Sequence, residues 1–283
     1  MEEVLDDFNP FSWVKTPQAK QVGPTFEGQL SCVAFGGGTD STAVLIGLRD
    51  HGLKPDRILF ADTGGEQPHT YEQVALMDAW TRKQWGIGIE RVNRTRRDGD
   101  ALTLEEWSLQ KKMLPSLAYG FKSCSLKFKV QPQDKAMNRW PIAKQAWKRG
   151  ERIIKYIGYE AGEARRVRPP ESKDGKYLYQ YPLIAWEWYR QHCIDAIKRE
   201  GLPLPGKSSC FFCPAMKKRE IISLAKDLQR RAVAIEDNAK ENLKSVKGLG
   251  RSFAWGDLLA GRCDINEPFL PGVPCDCYDG TED

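Results

Sequence analysis

Short apolar runs that end in glycine or small polar residues alternate with longer amphipathic stretches in the first third of the chain. Three glycines follow residues 29–35, and Asp62-Thr63-Gly64 follows residues 58–61. Both apolar runs therefore predict buried strands that enter turns. Helical patterns follow from Ser41 to Asp50 and from Pro68 to Lys83. This strand–helix–strand–helix order predicts an α/β fold, a parallel sheet flanked by helices.

Further along, the pattern changes from strands to helices. Residues 87–92 and 152–157 predict two more strands, and the irregular stretch 95–131 between them predicts ligand contacts. Beyond residue 180 we expect helices at 187–200 and 220–243. The predicted organisation is an extension over 1–28, a main domain over 29–180, and a smaller, mainly helical, cysteine-containing region over 181–283.

Composition and charge narrow the class of protein. Hydrophobic residues make up 41% and charged ones 29%, and no apolar run approaches the ~18 residues of a membrane span. The N-terminus is acidic rather than basic and apolar, so we expect no export signal, no membrane partner and a cytoplasmic location. The net charge of +5 suits phosphate-bearing ligands. Basic clusters occur at 91–97, 122–129, 165–168 and 217–219, and solvated faces are the alternative interpretation of each.

The glycine-rich turn between the first strand and the first helix predicts an anion site. Backbone N–H groups at a helix N-terminus bind phosphate, and glycines let the phosphate approach the backbone. Ser41 and Thr42 add hydroxyl donors. Asp40 can cap the helix or help to hold hydrated Mg²⁺, and the sequence leaves both roles open.

Two motifs carry a family resemblance. Residues 34–41 are similar to the Ser-Gly-Gly-x-Asp-Ser loop of the PP-loop ATP-pyrophosphatase superfamily, with Gly36 at the usual Ser position. Residues 62–71 resemble the Asp-Thr-Gly-x-x-x-Pro-x-Thr-Tyr segment of phosphoadenosine phosphosulfate (PAPS) reductases and sulfurtransferase-like relatives. The resemblance implies an adenine nucleotide alpha hydrolase-like fold over 29–180 that binds ATP or a PAPS-like nucleotide with Mg²⁺. The implied nucleotide contacts are Gly36, Gly37, Gly38, Thr39, Asp40, Ser41, Thr42, Asp62, Thr63 and Gly64.

Two other segments extend this resemblance. Residues 158–166 are similar to the segment in which relatives place an acidic residue and an arginine at the nucleotide, here Glu163 and Arg166. A planar guanidinium suits bidentate phosphate recognition. Residues 122–129 resemble the Cys-Ser/Thr-x-x-x-Lys loop of the family. The implied catalytic residues are Asp40, Lys122, Glu163 and Arg166.

Eight cysteines without an export signal favour metal or catalytic roles over disulfides. The Cys210-x-x-Cys213 pair alone fits a redox pair, a zinc half-site or an iron–sulfur half-site. With Cys124 and Cys193 the chain resembles a bacterial and phage PAPS-reductase-like subgroup that presents four thiolates. We predict a 4Fe–4S cluster, with Zn²⁺ as the alternative. Cys32 fits a strand core, and Cys263, Cys275 and Cys277 receive no role.

Three functional hypotheses follow. The first is an enzyme that adenylates a substrate oxygen with ATP, releases pyrophosphate and lets a sulfur or amine nucleophile displace AMP. Its substrate is a tRNA base, a DNA phosphate or a small molecule, its candidate partners include a sulfur donor protein, and a homodimer stays open. The second is reduction of PAPS or adenosine phosphosulfate, although the family's Glu-Cys-Gly-Leu-His and adjacent-cysteine motifs are absent. The third is a zinc-stabilised nucleic-acid-binding module with a relic PP-loop.

Overall fold

A computed structural model describes residues 28–263 and shows a parallel sheet of five strands with helices packed against it. The strand order is β3-β2-β1-β4-β5, and every neighbouring pair is parallel. The strands are β1 (Ser31–Phe35), β2 (Arg57–Ala61), β3 (Ile89–Val92), β4 (Ile153–Tyr156) and β5 (Tyr177–Gln180). The predicted α/β class is confirmed at this level.

The described α-helices are α1 (Thr39–Asp50), α2 (Pro68–Trp85), α3 (Leu104–Lys111), α4 (Ser123–Ser125), α5 (Gln131–Arg139), α6 (Pro141–Lys148), α7 (Pro182–Ala185), α8 (Arg190–Arg199), α9 (Lys218–Ser223), α10 (Lys226–Ala239) and α11 (Trp255–Leu259). The longest helices are α1 and α2 in the first half of the chain and α10 in the second. A single π turn over Leu126–Val130 joins α4 to α5. Such turns are frequent at functional sites, and this one carries Lys129.

Two details of the structure differ from the sequence predictions. Strand β5 was not predicted, since its four residues, Tyr177–Gln180, form a run too short to distinguish from a loop by periodicity. The single helix predicted over 220–243 is divided into α9 and α10. Leu224 adopts an extended conformation with ψ of 148°, which breaks the helix although the apolar spacing continues across it.

Buried apolar residues form three clusters. One fills the face of the sheet covered by α1, α2 and α8, and another fills the opposite face below α5 and α6. A further cluster joins α10 and α11 to the segment 102–128. Helices α7 and α8 contribute to the first cluster, so residues 182–199 pack on the sheet although the sequence assigned them to the C-terminal region.

The helices of the described part of the chain are too short or too polar to cross a membrane. Between residues 28 and 263, no helix combines the length and the apolar character that crossing a bilayer requires.

Candidate nucleotide and cysteine sites

A cleft lies at the point in the sheet where the strand order changes direction. The chain proceeds from β1 outward to β2 and β3 on one side, and β4 and β5 occupy the other side. Ligands of open α/β sheets bind at the carboxyl ends of the strands beside such a switch point. Here the turn after β1 and Gly158 after β4 line a cleft of about 430 Å³, which we call the nucleotide cleft. Its volume lies within the roughly 300–1,000 Å³ of small-molecule sites.

Close backbone contact shapes this cleft. Gly37 has a φ of +74°, which an L side chain rarely adopts, and it lets the chain turn into α1. A Cβ on Gly158 would lie 3.0 Å from the backbone nitrogen of Ser41, so β4 ends directly against the start of α1. The first-turn N–H groups of Thr39, Asp40 and Ser41 have no carbonyl partner within α1. These three residues line the cleft at the place where the sequence predicts an anion site.

Seven of the predicted contact or catalytic residues line the nucleotide cleft. They are Gly36, Gly38, Thr39, Asp40, Ser41, Glu163 and Arg166. The other predicted contacts lie outside its lining. Thr42 is fully buried and accepts a hydrogen bond from Gln73. Asp62 accepts hydrogen bonds from the backbone N–H of Gly64 and from the Tyr71 hydroxyl, so its carboxylate orders the turn after β2.

Two ion pairs lie in the nucleotide cleft, and the first joins two elements that are far apart in the chain. Arg190 at the start of α8 donates to Asp40 Oδ1 at 2.7 Å, and Arg166 donates to Glu163 Oε1 at 2.8 Å. The Arg166 guanidinium also lies 4.1 Å from the centre of the Tyr159 ring, which fixes its plane. Burial raises the pKa of Asp40 to about 6, and Arg190 opposes that rise.

Four polar or charged side chains of the nucleotide cleft were not assigned to it from the sequence. Lys129, Arg190, Lys207 and Ser208 all line it. Lys129 had a signal, since it ends the basic segment 122–129. Arg190, Lys207 and Ser208 had none, because a helix start and a Pro/Gly-rich loop have no periodic pattern that places them at a phosphate.

The cysteines predicted to share one site lie in two places. Cys124, Cys210 and Cys213 line a small, largely apolar cavity of about 50 Å³, together with Lys122 and Thr63. We call it the cysteine cavity. Cys193 is fully buried on α8 in the first apolar cluster, where burial raises its thiol pKa to about 12. The structure therefore brings together three of the four cysteines, and the described residues form no group of three His, Cys, Asp or Glu side chains arranged to hold a metal ion.

A buried polar network separates the cysteine cavity from the nucleotide cleft. Lys129 lines both, and its ammonium lies 3.2 Å from Oε1 of the buried Glu66. The Thr63 hydroxyl lies 3.1 Å from the same carboxylate oxygen and 3.2 Å from Cys210 Sγ. Thr63, a predicted nucleotide contact, therefore contacts the thiol site, and Lys129 connects the two sites.

The remaining predictions for single residues are resolved as follows. Cys32 is fully buried in β1, as predicted. Cys263 is half-buried and packs against the C-terminal apolar cluster. Cys275 and Cys277, like the extension at 1–27, lie outside the described residues.

Comparison with known proteins adds no family. The sequence matches no protein-family profile, and a search of curated proteins finds no match.

Proposed function

We propose that the chain is a PP-loop enzyme that binds ATP in the nucleotide cleft and adenylates an oxygen of its substrate. The observation that carries this proposal is the position of the cleft. It lies at the switch point between β1 and β4 and combines the first-turn N–H groups of a 12-residue helix with two arginines and two lysines. The negative charge of a nucleoside triphosphate matches the positive charge of such a site.

In the proposed reaction a substrate oxygen attacks the α-phosphorus of ATP. The bond from that phosphorus to the bridging oxygen breaks, and the electron pair leaves with pyrophosphate. A sulfur or amine nucleophile then displaces AMP from the adenylated substrate. Negative charge grows on the leaving pyrophosphate, and groups placed before the reaction stabilise it best. We assign this role to the first-turn N–H groups of α1 and to Arg166, Lys129 and Lys207.

The cleft also has ligands that suit Mg²⁺. Asp40 and Glu163 present carboxylate oxygens, the ligands that Mg²⁺ prefers beside phosphates. Each carboxylate gives one oxygen to its arginine, Asp40 to Arg190 and Glu163 to Arg166. Mg²⁺ bound here would offset charge on the pyrophosphate.

The cysteine cavity supports a thiol site more directly than a four-thiolate centre. A 4Fe–4S cluster or a structural zinc takes four protein ligands, and the described cavity supplies Cys124, Cys210 and Cys213. No step of the proposed reaction requires a metal in the cysteine cavity. Sulfur transfer is the specific reaction we favour, since the thiols of this cavity lie one buried ion pair away from the nucleotide cleft.

The direct test is release of pyrophosphate from ATP by anaerobically purified protein. Candidate oxygen-bearing substrates are offered in turn, and pyrophosphate is measured by a coupled assay. We expect release that depends on Mg²⁺ and on substrate. Arg166→Ala should lower the rate by about 10²-fold, because it removes a charge that faces the leaving group.

An exposed arginine outside the cleft provides the control for that variant. Arg82 lies on α2 and is paired with Asp78, so Arg82→Ala should keep the rate of the unaltered protein. If calorimetry shows ATP binding but no substrate causes pyrophosphate release, the protein binds ATP without the proposed catalysis. Sulfite formation from a sulfonucleotide would replace it by reduction.

A further inference from the structure

A second cleft lies at the outer edge of the sheet, beyond β3. It has a volume of about 410 Å³ and lies between the end of β3 and helices α5 and α6. We call it the edge cleft. Its functional groups are those of Arg57, Arg91, Asn93, Lys135, Arg139 and Trp140. None of these residues lines the nucleotide cleft or the cysteine cavity.

The charge of the edge cleft is strongly positive. Four lining residues are cationic and a single one, Glu90, is anionic. Glu90 is paired with Arg57, whereas Lys135 bonds the neutral Thr95 hydroxyl at 2.6 Å. Arg139 is exposed and makes no ion pair with any described residue. At least two cations of the cleft therefore face solvent without a carboxylate.

The positive charge continues beyond the edge cleft along the chain that forms its wall. Between residues 122 and 139 there are five lysines and arginines and one aspartate, a net charge of +4. The whole chain carries +5, so most of its net charge lies in this segment, which we call the basic strip. A basic segment that continues from the cleft matches an extended polyanion better than a single small anion.

An aromatic ring lies within the same cleft. Trp140 is half-buried between α5 and α6, and the Arg57 guanidinium lies 5.3 Å from its ring centre. The arginine orients the indole by a cation–π contact. Indole and guanidinium planes are the surfaces on which unpaired bases stack. The cleft thus offers contacts for both the phosphates and a base of a single strand.

One residue links the edge cleft to the turn after β2. Arg91 lines the cleft, and its Nε lies 3.8 Å from Asp62 Oδ2 at the end of β2. The same guanidinium lies 5.2 Å from the ring centre of Tyr71, whose hydroxyl donates to Asp62. The wall of the cleft also begins just after the π turn that carries Lys129 into the nucleotide cleft.

We propose that the edge cleft binds the backbone of a single-stranded stretch of nucleic acid, which is the substrate that the nucleotide cleft adenylates. Adenylation of this nucleic acid rests on the proposed function, whereas its binding to the edge cleft does not. Phosphates bind Arg91, Lys135 and Arg139, and one base stacks beside Trp140. The neighbouring nucleotides then extend along the basic strip toward the π turn.

The test measures binding of fluorescein-labelled oligouridylate and oligothymidylate of about 12 nucleotides by fluorescence anisotropy. The variant is Lys135→Ala with Arg139→Ala, two exposed changes on α5. Its matched control is Lys148→Ala with Arg149→Ala, which removes the same charges at the end of α6, outside the cleft. We expect the first pair to weaken binding about tenfold and to lower the salt dependence by roughly 1.4 log units per log unit of salt. The control pair should change affinity less than about threefold.

Three results would overturn the inference. They are equal losses in the two variant pairs, tighter binding of a duplex of the same length, and no binding of either oligonucleotide at about 50 mM salt. Binding of ATP, measured by calorimetry, should be the same in all proteins. If the unaltered protein binds neither oligonucleotide but still releases pyrophosphate from ATP, the edge cleft alone is refuted. Oligonucleotide binding without pyrophosphate release refutes the proposed function and leaves the edge cleft as a nucleic-acid site.

Discussion

Charged side chains of the two sites are held in pairs that link residues far apart in the sequence. Asp40 pairs with Arg190, and Lys129 pairs with Glu66. Both carboxylates are largely shielded from water, so the ionised forms depend on their partners. A substrate phosphate that enters the cleft competes with Asp40 for its arginine. Exchange of partners at Arg190 is therefore a natural response to nucleotide binding.

The raised pKa of Asp40 predicts a pH-dependent cost of folding. Burial raises it from 3.8 to about 6, so between these values the folded protein holds a proton that the unfolded chain has lost. The protonated Asp40 carboxyl stabilises the folded protein at pH 4. This contribution to the free energy of unfolding, at most about 3 kcal/mol, is lost as the pH rises through 6. Asp40→Asn should therefore gain stability relative to the unaltered protein between pH 4 and pH 7. Urea unfolding at both values measures this gain, and a constant difference would contradict it.

The buried Lys129–Glu66 pair predicts a strong double-mutant coupling. Lys129→Met leaves a carboxylate that is 1% exposed without its cation, and removal of one partner of a buried pair costs about 3–5 kcal/mol. Adding Glu66→Gln removes the uncompensated charge and should recover most of that loss. Denaturant unfolding of the two single variants and the double variant gives the coupling energy.

Lys127→Met is the control for this cycle. Lys127 lies two residues earlier and contacts the Trp107 ring, so its replacement should cost less than about 1 kcal/mol. A loss in Lys129→Met no larger than in Lys127→Met would show that the buried pair contributes nothing to stability.

Among the secondary-structure elements, the site depends on how closely β4 and α1 approach. The two elements meet end to end at the switch point of the sheet, and glycines remove the side chains that would separate them. Parallel strands end at one edge, so short turns at that edge bring together residues more than 100 positions apart in sequence. Gly36 and Gly158 show two different uses of glycine at this edge.

Substitution of Gly158 should weaken ATP binding, whereas substitution of Gly36 should not. A Cβ at Gly158 would lie 3.0–3.1 Å from backbone atoms of Asp40 and Ser41, which cannot move without displacing the start of α1. Gly158→Ala should therefore weaken ATP binding at least about tenfold, as expected when a 1 Å shift misplaces a site. At Gly36 the nearest atom is 3.8 Å away, so Gly36→Ser fits and supplies a hydroxyl near the phosphates. Calorimetry should show unchanged or tighter binding for Gly36→Ser, and equal losses at both positions would contradict the geometry.

At the scale of the whole molecule, the cysteine cavity joins the C-terminal helices to the sheet. Glu66 and Cys210 form an isolated antiparallel β-bridge, and Phe211 donates its N–H to the carbonyl of Gly65. The C-terminal apolar cluster surrounds Cys210 and Cys213, whereas Cys193 belongs to the cluster beneath α1. Anything bound by the cavity thiols would strengthen this junction and leave the α1–α8 packing unchanged.

Metal content and stability should therefore respond differently to the cysteines. An iron–sulfur cluster bound at the cavity gives broad absorbance near ~400 nm and about four irons per chain, and zinc gives a colourless protein. For either metal, Cys213→Ser should lower metal content and melting temperature together, since metal binding is coupled to folding. Cys193→Ala should keep the metal and lose only packing energy. Equal metal loss in both variants would place Cys193 among the ligands after all.

The sequence by itself determined the strand–helix–strand–helix order with which the sheet begins. The GGGTDS turn, the Asp-Thr-Gly turn and the helices α1 and α2 follow from local apolar periods and glycine conformations, which act within a few residues. They predicted the parallel sheet and five of the residues that line the nucleotide cleft, namely Gly36, Gly38, Thr39, Asp40 and Ser41. Resemblance extended these motifs to Glu163 and Arg166, which the structure places in that cleft.

Only the tertiary structure decided which distant residues meet. Arg190 reaches Asp40 because α8 packs on α1, and Lys129 reaches both cavities because a π turn rotates it inward. Cys193 faces the core below α1 while three other thiols face a second cavity. These contacts join residues that are separated by more than 60 positions in the chain. They depend on packing and on the strand order, which no local pattern encodes.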